Sequence, residues 1–323
     1  MLCNQIENIE FQITKQCNMN CRYCSNNDGN LEKEHLADFE YIKVIQHLPN
    51  LKKITLTGGE PSISMELLDY ISKEAKTKNI SLQLNTNGFV NDIKVWDKLL
   101  PMFDIIHFSA TNTMDKNLFA NIRGVKADVF DIINKNIEYV NSYKDVITAV
   151  EILIGKFNIN EIHSLYEFYK YRVDEIQFQP LIINGRASSK MQIEEKKLSM
   201  VINKILNEHK NATDNKAKLK LWCTPFFCQS IITESNNIEC ECGLYSIYVT
   251  NKGFVLPCNV AFYSDSNKSN LMSLKEHSIE DILANNPFYK ELYKNYDVEE
   301  IKKYGLCKMF EKDYKLKQYK KTG

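Results

Sequence analysis

The chain has 323 residues, 41 of them basic and 41 acidic, and so no formal net charge. That balance argues against a generic nucleic-acid or acidic-membrane binder, and a composition 44% hydrophobic and 25% charged excludes a disordered chain. No segment approaches the ~18 apolar residues that cross a bilayer, and Met1 to Glu10 carries neither the basic start nor the apolar run of a secretory signal, so a cytoplasmic protein with no membrane and no nucleic-acid partner is expected.

Strand-like and helix-like runs alternate through the first two thirds. Ile9 to Thr14 alternates apolar and polar residues and reads as a strand; Glu32 to Leu48 has helical spacing and stops at Pro49. Lys53 to Thr57 is a strand ending at Gly58-Gly59, Met65 to Lys78 a helix with Ser64 as its N-cap, and Ile80 to Leu84 a strand running into Asn85-Thr86-Asn87-Gly88. Asp92 to Leu100 is a short helix closed by Pro101, and Ile105 to Ser109 a strand. Val129 to Tyr143 is a helix, Val146 to Ile154 a strand, Ile159 to Tyr171 a helix, and Glu175 to Gln179 a strand that stops at Pro180. Six alternations of this kind predict a parallel sheet with crossover helices, open or curled into a barrel. A helix over Ile193 to Glu208 and a polar stretch from Lys210 to Lys220 follow. Beyond Trp222 a hairpin is expected, Tyr245 to Thr250 and Phe254 to Leu256 about an Asn251-Lys252-Gly253 turn, then a helix from Ile279 to Tyr293 interrupted by Pro287, and a solvated Lys-rich tail after Lys308.

The ten cysteines are placed unevenly: four lie between Cys3 and Cys24, and six between Cys223 and Cys307. In a reducing compartment such groups read as metal ligands or catalysts rather than disulfides. Cys17, Cys21 and Cys24 form C-x3-C-x2-C directly after the first strand. Three soft thiolates suit an iron–sulfur cluster or zinc, but a structural zinc needs four ligands and no fourth follows locally. At this point the chain resembles the radical SAM superfamily, whose signature is this triad with an aromatic residue, here Tyr23, before the last cysteine. Thr57-Gly58-Gly59-Glu60-Pro61 is similar to the family's GGEP motif. Asn85-Thr86-Asn87-Gly88 is similar to the TNG motif of the branch containing anaerobic sulfatase maturases and peptide-modifying enzymes. Ile122-Arg123-Gly124 and Gln179-Pro180 also resemble that branch.

The resemblance implies a partial (β/α)6 TIM-like barrel with its site at the C-terminal strand ends. It implies a [4Fe-4S] cluster on Cys17, Cys21 and Cys24, with an open iron that chelates S-adenosyl-L-methionine. One electron then releases a 5′-deoxyadenosyl radical that takes a hydrogen atom from the substrate. The implied roles are specific. Gly58, Gly59 and Glu60 hold the methionine amino group, Tyr23 meets the adenine through its backbone, Asn87 lies near the ribose, and Ser109 and Arg123 address the methionine carboxylate and ribose. Thr111 departs from relatives that carry aspartate there. A flavodoxin- or ferredoxin-type electron donor is implied as partner.

Cys242, ten residues, Gly253, four residues, Cys258 resembles the opening of a SPASM or twitch domain, with Cys307 as a later ligand of one auxiliary [4Fe-4S] cluster. The fourth ligand stays open among Cys240, Cys228 and Cys223. Of these Cys240 would share a strand face with Cys242; three protein ligands and an open iron are the further alternative. The surplus cysteines are expected to be packing residues, or one of them a hydrogen-atom donor. Residues 1–210 are expected to form the core and 211–323 the auxiliary-cluster domain. The expected substrate is a peptide or protein side chain that is oxidised, crosslinked or epimerised. Large peptide-modifying relatives often carry an N-terminal leader-binding domain, whereas the first strand here begins near residue 8, so a separate leader-peptide recognition protein or a small substrate is expected. Oxidation or epimerisation of an amino sugar or other small metabolite is the alternative. The GTP cyclase of the molybdopterin pathway fits less well, since its Gly-Gly tail and arginine-rich strip have no counterpart in a chain with four arginines that ends Lys-Thr-Gly. A zinc-stabilised binding module is the reading from another class.

Overall fold

A computed structural model describes residues 2–25, 35–109, 112–214, 217–223, 241–259, 271–287, 289–290, 294, 297–299 and 301. One sheet organises them. Its strands are β1 (Asn8–Thr14), β2 (Lys53–Gly58), β3 (Ser81–Thr86), β4 (Ile105–Ser109), β5 (Ile147–Ile154), β6 (Glu175–Pro180), β7 (Lys218–Leu221), β8 (Ser246–Val249) and β9 (Val255–Leu256), in the order β7-β6-β5-β4-β3-β2-β1-β8-β9. Every neighbouring pair is parallel except the β8–β9 hairpin. The crossovers carry helices α1 (Asp38–His47), α2 (Met65–Thr77), α3 (Lys94–Leu99), α4 (Lys116–Arg123), α5 (Val129–Asn141), α6 (Ile162–Tyr169) and α7 (Glu195–Asn211), and α8 (Ile279–Asn285) follows the hairpin.

The strand pattern explains both faces. Ile9, Phe11 and Ile13 of β1, Ile54 and Leu56 of β2, Leu82 and Leu84 of β3, and Ile106 and Phe108 of β4 are buried against apolar helix faces such as Tyr41, Val44 and Ile45 of α1 or Ile133, Ile137 and Val140 of α5. The intervening positions are polar: Glu10 and Gln12, Thr55, Gln83, His107, Glu151 and Gln177. Parallel strands covered on both faces by helices are near-continuously apolar. Here only one face is covered, and the other curls around a lumen whose lining draws on strands from β1 to β6 and the end of β7. The fold is thus mixed α/β with a curled parallel sheet.

Several elements depart from expectation. Residues 35–37 are not helical, because Leu36 is fully buried and its N–H donates to the Asn251 carbonyl of the hairpin turn at 2.6 Å; α1 therefore begins at Asp38. The Ser64 hydroxyl makes no cap bond, since a 3-10 turn over Pro61–Ile63 leads into α2 instead. Helix α4 was not expected, although Asp115 caps it through the N–H groups of Asn117 and Leu118 and Gly124 closes it at φ +64°. The polar stretch up to Lys220 contains β7, which adds to β6 with Glu175 beside Lys218. The hairpin forms as expected, and β8 lies parallel to β1, with Ser246 beside Asn8. Thus β7, β8 and β9, all beyond residue 210, belong to the same sheet as β1–β6. Helix α8 runs to Asn285, with the Ser278 hydroxyl accepting the Asp281 N–H, and helical residues resume at Pro287 after the expected interruption. Among the described residues no helix is long and apolar enough to cross a membrane.

Candidate active site

The loop after β1 carries Cys17, Cys21 and Cys24, and all three line one cavity at the C-terminal strand ends. Three other loops clamp this one. The Asn20 and Arg22 N–H groups donate to the carbonyls of Arg123 (3.1 Å) and Ile122 (2.8 Å). The Glu60 N–H donates to the Gln16 carbonyl at 2.7 Å, and the Arg186 N–H to the Cys24 carbonyl at 2.9 Å. Glycine permits two of these approaches. A Cβ on Gly124 would lie 2.7 Å from the Asn20 carbonyl oxygen, and one on Gly185 would collide with the carbonyls of Cys24 and Ser25; both residues have left-handed backbone, φ +64° and +57°.

Glu60 stands apart from the other expected ligand residues. It is fully buried, and its carboxylate accepts the N–H of Ser62 (3.0 Å), the hydroxyl of Thr86 (2.8 Å) and the N–H of Asn87 (2.7 Å). Burial pushes its carboxyl above the ordinary range, and these donors pull it back. The acid thus ties the loop after β2 to the loop after β3 instead of facing the cavity. Asn87 reaches the other way: its amide donates to Asn18 Oδ1 at 2.7 Å and lies 3.7 Å from Cys17 Sγ. The Phe89 N–H fixes the orientation of that amide by donating to Asn87 Oδ1 at 2.8 Å.

Arg123 is buried beneath the cysteine loop. Its guanidinium donates to the Ser109 carbonyl at 2.8 Å and lies over the rings of Tyr23 (5.7 Å) and Phe119 (5.8 Å). Tyr23 stacks on Phe157 with centroids 5.8 Å apart, and its hydroxyl accepts from the Asn112 amide at 2.7 Å. Its ring is therefore engaged by the protein. Gly58, Gly59, Asn87, Ser109, Arg123 and Tyr23 all line the cavity with the three cysteines. Thr111 lies outside the described residues.

The donor set fits an iron–sulfur cluster. The three thiols share the cavity, and no disulfide occurs among the described cysteines. Among the described residues no three His, Cys, Asp or Glu side chains close on one point as ligands of a single ion would. A four-iron cluster needs no such point, since it gives each thiolate its own iron. Burial pushes the Cys17 thiol up to about 12, so binding a cluster there would expel its proton.

The second cysteine set lies at the opposite end of β1 from the triad. β8 and β9 pair Tyr248 with Leu256, so extending that register brings the residues just before β8 and just after β9 to one end of the hairpin. Cys242 bridges to Ser246 there, and Cys258 follows β9. Because Ser246 lies beside Asn8, this end abuts the start of β1, whereas Cys17, Cys21 and Cys24 follow its finish. Asn259, next to Cys258, lines the same cavity as the triad, as does Cys223 at the end of β7. Cys228, Cys240 and Cys307 lie outside the described residues.

Sequence reasoning missed the lumen between these ends. Glu10, His107 and Glu151 line it, and deeper down Lys53, Gln83 and Gln177 continue it beside the Lys220–Glu175 ion pair at 2.6 Å. Burial and the nearby Glu151 raise Glu10 to about 7, against the pull of Lys53. Burial raises Glu151 to about 7, with Arg123 opposing. Burial beside Lys53 and Lys220 lowers His107 to about 3, so its imidazole is neutral. The missed signal was the period-2 run of polar residues on strands expected to be parallel.

Comparison with known proteins agrees with this geometry. A family model described as the radical SAM superfamily matches residues 11–169, and one described as the SPASM iron–sulfur cluster-binding domain matches residues 240–309. The chain belongs to the radical SAM superfamily and is an enzyme of its SPASM branch, with an S-adenosyl-L-methionine-binding [4Fe-4S] cluster and an auxiliary iron–sulfur site as cofactors. Among curated proteins it is 26% identical over 289 residues to the GTP 3′,8-cyclase of Haemophilus influenzae, covering 84% of this chain and 79% of that one. It is 23% identical to the Campylobacter jejuni enzyme of the same name, covering 79% and 80%. Among solved structures, Streptococcus suis SuiB bound to precursor peptide SuiA aligns with a TM-score of 0.71 at 16% identity, over 90% of this chain and 67% of that one. anSMEcpe with bound AdoMet aligns at 0.64 and 16%, over 88% and 82%. These likenesses confirm the partial barrel with a C-terminal SPASM domain.

Proposed function

We propose that this radical SAM enzyme modifies a side chain of a peptide or protein held in the barrel lumen, by oxidation, crosslinking or epimerisation. The observation that carries the reading is the lumen itself. It runs from the triad to Asn259, the residue after Cys258, and its charged lining near the triad is Glu10, Glu151, Arg123 and Arg186. That is no array for a triphosphate: Arg123 is tied to Ser109, and the Arg186 guanidinium donates to Asn20 Oδ1 at 2.6 Å. Two solved structures similar in fold hold a peptide, SuiB bound to precursor peptide SuiA and anSMEcpe with bound AdoMet and Cp18Cys peptide, which fits this reading.

Cys17, Cys21 and Cys24 would hold the first cluster. Cys242 and Cys258, with Cys307 and one of Cys240, Cys228 or Cys223, would hold the auxiliary one in the part of the chain from 211 to 323. When bound, the first cluster and S-adenosyl-L-methionine supply a 5′-deoxyadenosyl radical for hydrogen abstraction. The protein's own residues position and shield. Gly58 and Gly59 would give backbone to the methionine moiety, and Ser109 and Arg123 would address its carboxylate. Asn87 orients the Cys17 thiolate, and Glu60 sets the spacing of the two loops that carry these groups. The stacked pair Tyr23 and Phe157 closes one wall against water. A flavodoxin- or ferredoxin-type donor would supply the electron, and a separate protein would present a leader peptide.

A second reading, nucleotide cyclisation, is favoured by the names of the curated relatives. One experiment separates the two. The anaerobically reconstituted enzyme is incubated with dithionite, S-adenosyl-L-methionine and either a precursor peptide encoded beside its gene or GTP. A peptide that loses a hydrogen pair, or takes up solvent deuterium at one α-carbon, supports the first reading. A cyclised guanosine product with no change in the peptide replaces it by the second.

A further inference from the structure

Glu10 and Glu151 are the acids lining the lumen near the triad, and the fold sets them on opposite walls. Glu10 projects from β1 and Glu151 from β5, with three strands between them in the sheet. Both line the cavity that begins at the cysteine triad. Both side chains are half-buried where they line it. Neither carboxylate has a hydrogen bond or an ion pair among the described residues. The one other acid on the described strands, Glu175, is paired with Lys220.

The cations nearest them are committed or distant. One guanidinium nitrogen of Arg123 donates to the Ser109 carbonyl while its charge acts on Glu151 through the field, as that of Lys53 does on Glu10, with no hydrogen bond to either acid among the described residues. His107, on β4 between the two walls, is buried and its Nε2 meets no partner among the described residues. It adds a neutral ring to the same wall and no charge. Two unpartnered carboxylates facing one enclosed space are costly unless a ligand supplies donors and positive charge. Apolar or anionic groups would leave both acids buried and unpaired.

We propose that Glu10 and Glu151 form a cation subsite, so that the substrate group held below the triad carries an ammonium or guanidinium. The inference rests on the lumen being the substrate site and narrows the substrate to a lysine-, arginine- or amine-bearing one. The upward displacement of both acids toward about 7 agrees with it, because an empty pair is then partly protonated and an arriving cation favours full ionisation.

The test is calorimetric titration of the anaerobic, cluster-loaded holoenzyme with S-adenosyl-L-methionine bound. The probes are N-acetyl-lysine methylamide, its norleucine counterpart and GTP. The lysine probe is expected to bind at least about tenfold more tightly than norleucine, and the E10Q/E151Q double variant to abolish that preference. Equal binding of the two amides to the unmodified enzyme overturns the proposal, as does a preference that survives in the variant, or GTP binding more tightly than the lysine probe. S-adenosyl-L-methionine affinity is measured on the same preparations. If it falls in step with the lysine preference, the two acids serve the sulfonium cofactor and the proposal fails. Preference for the lysine probe with no modification of any peptide keeps the cation subsite and removes the peptide reading.

Discussion

The carboxylate of Glu60 accepts the backbone N–H of Asn87 at 2.7 Å. That bond, with those to Thr86 and Ser62, makes one acid the tie between two cofactor-facing loops. Removing it in E60A leaves three buried donors without an acceptor, at about 1–3 kcal/mol each before relaxation. E60Q is expected to fail too, because its amide nitrogen would face a donor. Both variants should melt several degrees lower and hold less iron per chain, as read by thermal unfolding and iron analysis. A role confined to binding the methionine amino group predicts an unchanged melting temperature and only weaker S-adenosyl-L-methionine binding.

Gly185→Ala tests the clamp on the cysteine loop from the opposite side. The new methyl would enter the carbonyls of Cys24 and Ser25 at a backbone angle that L-residues avoid. A cost of about 1–3 kcal/mol is expected, together with a displaced Cys24. Gly124→Ala pushes on Asn20 and should act in the same direction more weakly, since its nearest contact is looser. Iron content and the visible absorbance of the reconstituted protein measure both effects.

Much of this arrangement was legible before the fold was known, because each motif is local. The cysteine spacing, the Gly58-Gly59 pair, the strand ends and the Asn251-Lys252-Gly253 turn are each set within a few residues of chain. What escaped depends on register across distant strands. Glu10 and Glu151 are 141 positions apart by their numbering, and only the curl of the sheet gives them a common cavity. Glu60 looked like a ligand because the carboxylate chemistry is right; its three donors come from folding the next loop over it. β7 was hidden by Lys218 and Lys220, which read as solvated chain yet alternate with Leu219 and Leu221 on a sheet edge.

Asn87 offers a test with a spectroscopic readout. Its amide sits 3.7 Å from Cys17 Sγ and is held by Asn18 and Phe89. N–H donors near cluster sulfurs raise the reduction potential. N87A is therefore expected to lower the potential of the first cluster by on the order of tens of millivolts, followed by electron paramagnetic resonance during a redox titration. An Asn87 that served the ribose alone would leave that potential in place and weaken only cofactor binding.

The lumen also fixes how stability follows pH. Glu10 and Glu151 rise from 4.5 to about 7 on folding, so the folded state binds more protons than the unfolded one between those values. Their contribution is complete below pH 4.5 and is lost as pH rises through 7. His107 falls from 6.5 to about 3, so its contribution is complete above pH 6.5 and is lost as pH falls toward 3. The acids therefore set the alkaline side of the stability curve and the histidine the acid side. In E10Q/E151Q the loss of melting temperature between pH 5 and 8 should shrink, by an amount on the order of 1 kcal/mol per acid once solvent access through the cavity is allowed for. His107→Gln should flatten the acid limb and leave the alkaline limb as it was. Thermal unfolding of the apoprotein across that pH range reads both limbs, and a double variant whose alkaline limb matches the unmodified chain would place the ionisation of these acids outside the lumen's energetics.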